Sequence, residues 1–272
     1  MRFLVIPALV ATLMVAVPAR ADFSTGWMSY EKADFFGAAR AWLPLAEEGD
    51  ARAQYALAIL LLRGRGFDRS ASAAAVLLSP AAAAGHPEAA YALALLYQDG
   101  DGVRTDRTEA ARLYRVAAEA GYAPAQNNLA LMHAIADGLP RDALSAHVWF
   151  SIAARNGEEN AGRNRDRVAA ELTPAQAVES ARRLQAWTQP EAPMLRRNPA
   201  STYPGAGSLL KALETALDRQ ALRAAPAFDD RVEATVPEPA KVAAGPIEVA
   251  APVVTAPAPP VLAGPPLRLL PR

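Results

Sequence analysis

A repeat of 36 residues constrains the fold of this chain more than any other sequence feature. Four glycines mark its register at constant spacing: Gly49, Gly85, Gly121 and Gly157. Before each glycine, two alanine positions and one bulky apolar position keep the same spacing: Ala38, Ala74, Ala110 and Ala146; Ala46, Ala82, Ala118 and Ala154; Trp42, Leu78, Tyr114 and Phe150. After each glycine the aligned residues are Ala53, Ala89, Ala125 and Ala161, then Leu57, Leu93 and Leu129. Such a period predicts a solenoid of helical pairs, because each unit buries its apolar face only against its neighbours.

One repeat unit illustrates the local pattern. Over residues 105–120 the apolar residues recur at helical spacing on one face, while charged residues such as Arg112 occupy the other. Gly121 follows where a left-handed residue ends a helix, and Pro124 suits the first turn of the next helix. The aligned alanines let two helix backbones approach closely. The sequence therefore predicts two antiparallel helices in each unit.

Residues 110–130 follow the pattern A-x-x-L-Y-x-x-A-A-x-x-G-x-x-x-A-Q-x-x-L-A. Together with the loop Tyr97-Gln98-Asp99-Gly100-Asp101-Gly102-Val103 and Asp106, this pattern resembles the Sel-one-like repeat, a relative of the tetratricopeptide repeat. The resemblance covers roughly residues 30–187, although the loops of the neighbouring units depart from it. It implies an all-α fold, an αα-hairpin solenoid that winds into a right-handed superhelix.

The N-terminal residues 1–21 have the composition of an export signal. Arg2 precedes an apolar run over residues 3–17, and Ala19-Arg20-Ala21 forms a small-x-small cleavage site. We favour cleavage after Ala21 over a membrane anchor, because the apolar run is shorter than the roughly 20 residues that span a bilayer. No cysteine follows the signal, which excludes lipoprotein attachment. We expect a periplasmic or secreted protein without a stable membrane span.

The rest of the chain divides by composition. We expect the helical repeats to occupy residues 22–157 and two capping helices to occupy 158–189, the second starting at Thr173. The proline-rich remainder, 190–272, is predicted to be disordered. Within it, a short amphipathic helix is predicted at 208–224, where these residues recur at i, i+4 spacing: Leu209, Leu213, Leu217 and Ala221.

Charge and cysteine content exclude several classes of site. The formal net charge is +0 and the pI is about 6.9, so no overall field attracts nucleic acid or anionic lipid. The chain has no cysteine, which excludes disulfides, thiolate metal ligands and a cysteine nucleophile. We expect no catalytic residue, no cofactor and no metal.

One short motif keeps an enzyme alternative open. Ser208-Leu209-Leu210-Lys211 matches S-x-x-K, in which a lysine helps to activate a nucleophilic serine. The companion motifs S-D-N and K-T-G are absent, so a cell-wall-active serine hydrolase is the unlikely alternative. The resemblance also links some cysteine-rich relatives to β-lactam chemistry, but this chain has no cysteine.

The histidines and charged loops favour structural roles. His133 takes the repeat position of Tyr97, and neither it nor His86 or His147 has a partner at metal-ligand spacing. The Asp99 to Gly102 loop lacks a third oxygen ligand for calcium. A small basic loop, which we interpret as solvated rather than anion-binding, contains Arg63, Arg65 and Arg69.

The leading functional hypothesis is a non-enzymatic scaffold that binds a protein or peptide partner in the cell envelope. In a solenoid of helical pairs, the first helix of each pair lines the inner surface. Positions two residues from the core leucines of these helices then give the candidate concave face: Tyr55, Ile59, Tyr91, Leu95, Asn127 and Leu131. The alternative that several of them are solenoid core stays open, as does the oligomeric state. A second hypothesis, allowed by the resemblance, is a regulator that docks to a membrane sensor or a cell-surface assembly machinery.

Overall fold

The structure, a computed structural model, describes residues 22–188 and 205–218. Within these residues it contains eleven α-helices and no β-strand, which confirms the all-α fold class. The predicted signal peptide at 1–21 and the predicted tail, except for one helix, lie outside the described residues.

The helices follow one another with short connections. Their bounds are α1 Phe23–Glu31, α2 Phe35–Glu47, α3 Ala51–Arg63, α4 Ala71–Ala83, α5 Pro87–Asp99, α6 Arg107–Glu119, α7 Ala123–Ile135, α8 Ala143–Arg155, α9 Glu159–Ala169, α10 Pro174–Ala186 and α11 Ala206–Asp218. Each helix from α1 to α9 packs against the next one in the chain. Each repeat is a pair of helices. The first helices of the three pairs are α3, α5 and α7, and the second helices are α4, α6 and α8. By its position in the 36-residue period, α2 corresponds to a second helix, and it precedes the first complete pair.

The repeat glycines end the second helices. Gly85 and Gly121 have φ of 93° and 90°, in the left-handed region that glycine adopts without strain. The residue after Gly85, His86, donates its backbone N–H to the carbonyl of Ala81, the six-to-one bond of a Schellman motif. The predicted helix ends are therefore confirmed, and the Schellman hydrogen bond explains why the helix stops there.

The second helices also begin in the same way. Each starts after a residue whose side-chain oxygen accepts the N–H three positions later, which satisfies a donor at the helix N-terminus. These N-caps are 36 residues apart: Asp34, Ser70, Asp106 and Asp142.

The core lies between the layers of helices. The repeat alanines Ala38, Ala74 and Ala110 are fully buried, and so are the bulky residues of the aligned slot, Tyr114 among them. Because methyl groups occupy the helix crossings, each bulky side chain fills the space between successive pairs. The aligned residues are thus the core that the sequence predicted.

The loop inside each repeat docks on the preceding repeat. A Cβ on Gly102 would overlap the backbone nitrogen of Ser72 at the start of α4, and one on Gly138 would overlap the carbonyl of Arg107 at the start of α6. Gly66 lies in the same way against the start of α2. Loop glycines therefore set the spacing between consecutive second helices.

Two further helices follow the repeats. Thr173 and Gln176 form a reciprocal capping box at the start of α10, the helix start that the sequence predicted. The helix α10 packs against α8. At its end, Trp187 meets Trp149 of α8 edge to face, with ring centroids 5.3 Å apart.

The last described helix, α11, returns to the N-terminal part of the solenoid. It packs against α2 and α4 and buries one face, which consists of Ala206, Leu209, Leu210, Leu213 and Leu217. Glu214 and Lys211 lie near Glu47 at the end of α2, while the carbonyl of Leu217 meets Arg40 near its start, so α11 runs antiparallel to α2. The sequence places this helix at 208–224, but residues 219–224 lie outside the described residues, and docking on the solenoid is not foreseen from the sequence.

Among the described helices, none has the length and apolar character needed to cross a membrane.

Candidate functional site

The first-helix face, defined as Tyr55, Ile59, Tyr91, Leu95, Asn127 and Leu131, is partly buried. Tyr55 is 5% exposed, Ile59 6% and Asn127 9%, so these three belong to the interior of the fold. Tyr91, Leu95 and Leu131 are half-buried. The accessible part of this face therefore lies on α5 and α7.

Aromatic side chains link successive repeats along this face. Tyr55 stacks on His86 with ring centroids 4.8 Å apart, and Tyr91 meets Tyr122 edge to face at 5.1 Å. Both pairs join a residue in a first helix to the residue that precedes the next first helix. Tyr91 also contacts the buried ring of Tyr114 at 5.7 Å. These rings, which we call the aromatic row, thus contact one another at the same position in two successive repeats.

Burial keeps these phenols protonated. Desolvation is the main cause that raises the pKa of Tyr55, Tyr91 and Tyr122, and nearby negative charges add to it. The hydroxyls of the row are therefore neutral hydrogen-bond groups at any physiological pH.

Two carboxylates flank the row. Glu88 Oε2 lies 3.0 Å from Nδ1 of His86. Burial opposes ionisation of Glu88, but the hydrogen bond from His86 outweighs it, so the pKa of Glu88 is lowered. Burial, and secondarily Glu159, raises the pKa of Glu158. The edges of the row thus carry acidic groups.

Asn127 holds an unpaired acceptor within this face. Its Oδ1 is buried and has no hydrogen-bond partner among the described residues. Its Nδ2 makes only a 3.5 Å contact with Oδ1 of Asn128. A buried carbonyl without a partner costs stability, because its desolvation is uncompensated.

The residues of the S-x-x-K motif, Ser208 and Lys211, lie on the exposed side of α11, and Lys211 lies near Glu47 of α2. Residues 22–188 and 205–218 contain no group of three or more acidic or histidine side chains that could hold a metal. His133 is half-buried, and burial lowers its pKa, in keeping with the packing role expected of it.

The charged loops instead join neighbouring repeats. Arg65 donates to the hydroxyl of Tyr30 at 2.6 Å, and Arg69 pairs with Asp101 in the loop of the next repeat. Arg107 and Asp137 make a similar pair at 2.6 Å. These partners explain the arginines and the acidic loop without an anion or a calcium ion.

The groove between α2 and α4 is a surface that sequence reasoning missed. Leu43 lies one turn from both Arg40 and Glu47, the two α2 residues that meet α11, yet it is 6% exposed. In the other second helices its repeat position is polar: Ser79, Arg115 and Ser151. The helix α4 has no charged residue at all, so it lacks the charged face that marks a helix turned to solvent. These two signals mark the docking surface of α11.

Comparisons with known proteins agree with the repeats. Residues 51–86, 87–122 and 123–158 each match the model of the Sel1 repeat. No curated protein matches the chain. A solved Sel1 repeat protein from Oxalobacter formigenes is 25% identical with a TM-score of 0.52, and the match covers 53% of this chain and 59% of that one.

A second solved structure shares the fold. It is a protective antigen of uropathogenic Escherichia coli strains that displays an SLR fold; it is 24% identical with a TM-score of 0.52, and the match covers 79% of this chain and 43% of the antigen. The chain thus spans about half the length of these two proteins. Residues 51–158 thus consist of three consecutive Sel1 repeats, on an all-helical fold similar to that of these solved structures.

Proposed function

We propose that the protein is a non-enzymatic scaffold, exported to the cell envelope, that binds a protein or peptide partner through the first-helix face. The observation that carries this proposal is the run of half-buried apolar and aromatic residues on α5 and α7, Tyr91, Leu95 and Leu131, with Tyr91 packed edge to face on Tyr122. The scaffold itself is the Sel1 repeat solenoid, whose stacked pairs form an extended surface for binding.

The chemistry of the face fits a polypeptide ligand. The half-buried rings of Tyr91 and Tyr122 offer apolar contact area at low entropic cost, since a tyrosine side chain has few rotatable bonds. Their hydroxyls offer hydrogen bonds to backbone and side-chain groups of a bound segment. Glu88 and Glu158 at the edges favour a partner with basic residues there.

Export is supported by the pattern of residues 1–21, with its apolar run and small-x-small cleavage site. Intact-mass measurement of protein from an envelope fraction tests it. A chain that begins at Asp22 supports export with cleavage after Ala21, whereas a chain that retains residues 1–21 in the cytoplasmic fraction contradicts it.

Affinity capture tests the binding face. The mature chain and a Tyr91→Ala/Asn127→Ala/Leu131→Ala variant serve as baits for an envelope extract, with Arg115→Ala/Glu119→Ala on the exposed side of α6 as the matched control. A partner retained by the mature chain and the control but lost by the triple variant supports the proposal. Equal retention by all three baits contradicts it, provided that the triple variant keeps its helical content.

A further inference from the structure

A cavity of about 200 Å³ lies between α4 and α6. Leu93 and Leu113, both buried, form its floor, and Ser79 and Val116 line its sides. Glu109 and Arg112 of α6 form its rim. A cavity of this size holds about one large apolar side chain, because about 150 Å³ already accommodates benzene. It is too small for a typical cofactor, which needs at least about 300 Å³.

This groove is the equivalent, one repeat later, of the groove that α11 fills. Subtracting the 36-residue period from its lining residues gives positions on α2, α3 and α4, such as Leu57 for Leu93 and Leu77 for Leu113. The two grooves are neighbours, because α4 forms one side of each. The chain therefore shows, in its own α11, how a helix lies against a pair of second helices.

The two grooves differ at their edges. Leu43 of the first groove becomes Ser79 in the second, and Val76 becomes Arg112. The floor stays apolar while the rim becomes polar. An apolar seam such as that of α11 therefore still fits the floor, while the polar rim favours polar residues beside that seam.

Arg112 offers the polar contact. Its Nε and Nη2 donate to the two carboxylate oxygens of Glu109 at 2.8 and 2.6 Å. A guanidinium has five N–H donors, so donors remain for a second carboxylate. The Arg112 side chain is 60% exposed, which makes these donors reachable from solvent. The rim is thus suited to an acidic residue on the bound helix.

We propose that the groove between α4 and α6 binds an amphipathic helix of a partner protein, laid beside α11. The helix places one large apolar side chain, such as leucine, in the cavity and an acidic residue against Arg112. This site lies on the second helices and does not depend on the first-helix face.

A synthetic peptide of residues 205–218 tests the site, since it carries a leucine seam and the acidic residues Glu214 and Asp218. The labelled peptide is titrated into the full mature chain, in which α11 occupies its own groove. We expect saturable binding by fluorescence anisotropy, and backbone amide shifts in NMR spectra confined to α4, α5 and α6. A Leu213→Asp peptide should not bind.

Variants of the protein locate the binding. Val116→Asp places a charge on the groove wall, and Arg112→Glu reverses the rim; each should weaken binding at least tenfold. Arg112 is exposed, so its substitution leaves the fold intact even if the Val116 variant is unstable. Arg115→Glu, on α6 but outside the cavity lining, is the matched control and should bind as the mature chain does.

Three results would overturn the proposal. One is the absence of saturable binding. Another is binding that Arg112→Glu and Val116→Asp leave unchanged, because the peptide would then occupy another surface, such as the α11 groove. The third is concentration-dependent dimerisation of the mature chain without peptide that Val116→Asp abolishes, because the occupant would then be a second copy.

Discussion

Nη2 of Arg40 in α2 donates a 3.0 Å hydrogen bond to the backbone carbonyl of Leu217 in the last turn of α11, 177 residues away in the chain. Carbonyls in the last turn of a helix have no partner within the helix, so this bond satisfies one of them. It also places a positive charge at the negative end of the helix dipole. A segment that composition assigns to a tail is thereby part of the solenoid.

Removal of α11 should destabilise the repeats. Truncation after Pro204 would expose Leu43 and the outer side of α4, and we expect a lower thermal midpoint than that of the mature chain. In the full chain, Leu213→Ala should lower the free energy of unfolding by about 2–4 kcal/mol, because Leu213 is fully buried. Ser208→Ala, an exposed position on the same helix, is the control in urea titrations and should change stability by less than about 0.5 kcal/mol. Unchanged midpoints for both Leu213→Ala and the truncation would show that α11 is not docked in solution.

Substitution of glycine by alanine should cost more stability in the loop inside a repeat, at Gly102, than in the turn that ends a second helix, at Gly85. Gly102 has φ of 70°, and its Cβ would overlap the backbone of α4, so Gly102→Ala should cost more than about 3 kcal/mol. At Gly85, with φ of 93°, a Cβ meets nothing within 4 Å, so Gly85→Ala should cost only the strain of the left-handed conformation, about 1 kcal/mol. Chemical denaturation of both variants measures the difference. Equal costs would contradict the close contact between the loop and the preceding second helix.

Gln126 should matter more to stability than an exposed ion pair between repeats. Its Nε2 donates to the carbonyl of Ala118 at 3.0 Å, and its Oε1 accepts from Asn156 at 2.8 Å, in a fully buried position. Gln126→Leu removes both hydrogen bonds and takes the Gln126 partner from Asn156 Nδ2, whereas the Ala118 carbonyl still accepts from Gly121 N–H, so the change should cost about 1–3 kcal/mol. Asp137→Ala, which breaks the exposed pair with Arg107, should cost less than about 1 kcal/mol. Equal urea midpoints for the two variants would contradict this expectation.

The amide of Asn127 should not be needed for stability. Because its buried Oδ1 has no partner among the described residues, Asn127→Leu should be neutral or should stabilise the fold by up to about 1 kcal/mol. A variant that is clearly less stable than the mature chain in calorimetry would show that Asn127 has a structural role instead.

Stability should fall as His147 becomes protonated in the unfolded chain. Burial is the main cause that lowers the pKa of His147 below its ordinary value, and the charge of Arg165 adds to it, while Nδ1 lies 2.8 Å from Oγ of Ser180. As the pH falls through the ordinary histidine pKa of about 6.5, the unfolded chain therefore binds a proton before the folded chain does, and the free energy of unfolding decreases. His147→Gln should flatten this dependence in urea titrations at several pH values. Arg165→Gln should flatten it less, because burial remains. A slope unchanged by His147→Gln would contradict the assignment.

The repeats could be predicted from the sequence because their contacts are local and periodic. The spacing from Gly85 to Gly121, and the alanines aligned with it, encode helix ends and helix crossings within one unit or between neighbours. The docking of α11 was not predicted, because it joins segments far apart in the chain. Even so, two sequence features indicate the surface on which α11 docks. Leu43 lies at a position that is polar in the other repeats, and α4 has no charged residue.

The rotation of the first helices was harder to predict than their bounds. A position two residues from a core leucine points away from that leucine, and this placed Tyr55 and Ile59 on the candidate face. However, α3 packs against both α2 and α4, so nearly every side of its middle turns is covered. Periodicity within one helix does not reveal how many neighbours enclose it.

The return of α11 to α2 and α4 also bears on how the chain folds. A linear array of repeats has only near-neighbour contacts, so it frays from its ends and unfolds in steps. By fastening residues 206–218 to the opposite end of the sequence, α11 adds contacts of very high sequence separation, which raise the contact order and slow folding. In exchange, the N-terminal pairs should open only together with α11, as one cooperative unit, with the slowest amide hydrogen exchange in the molecule along α2 and α4.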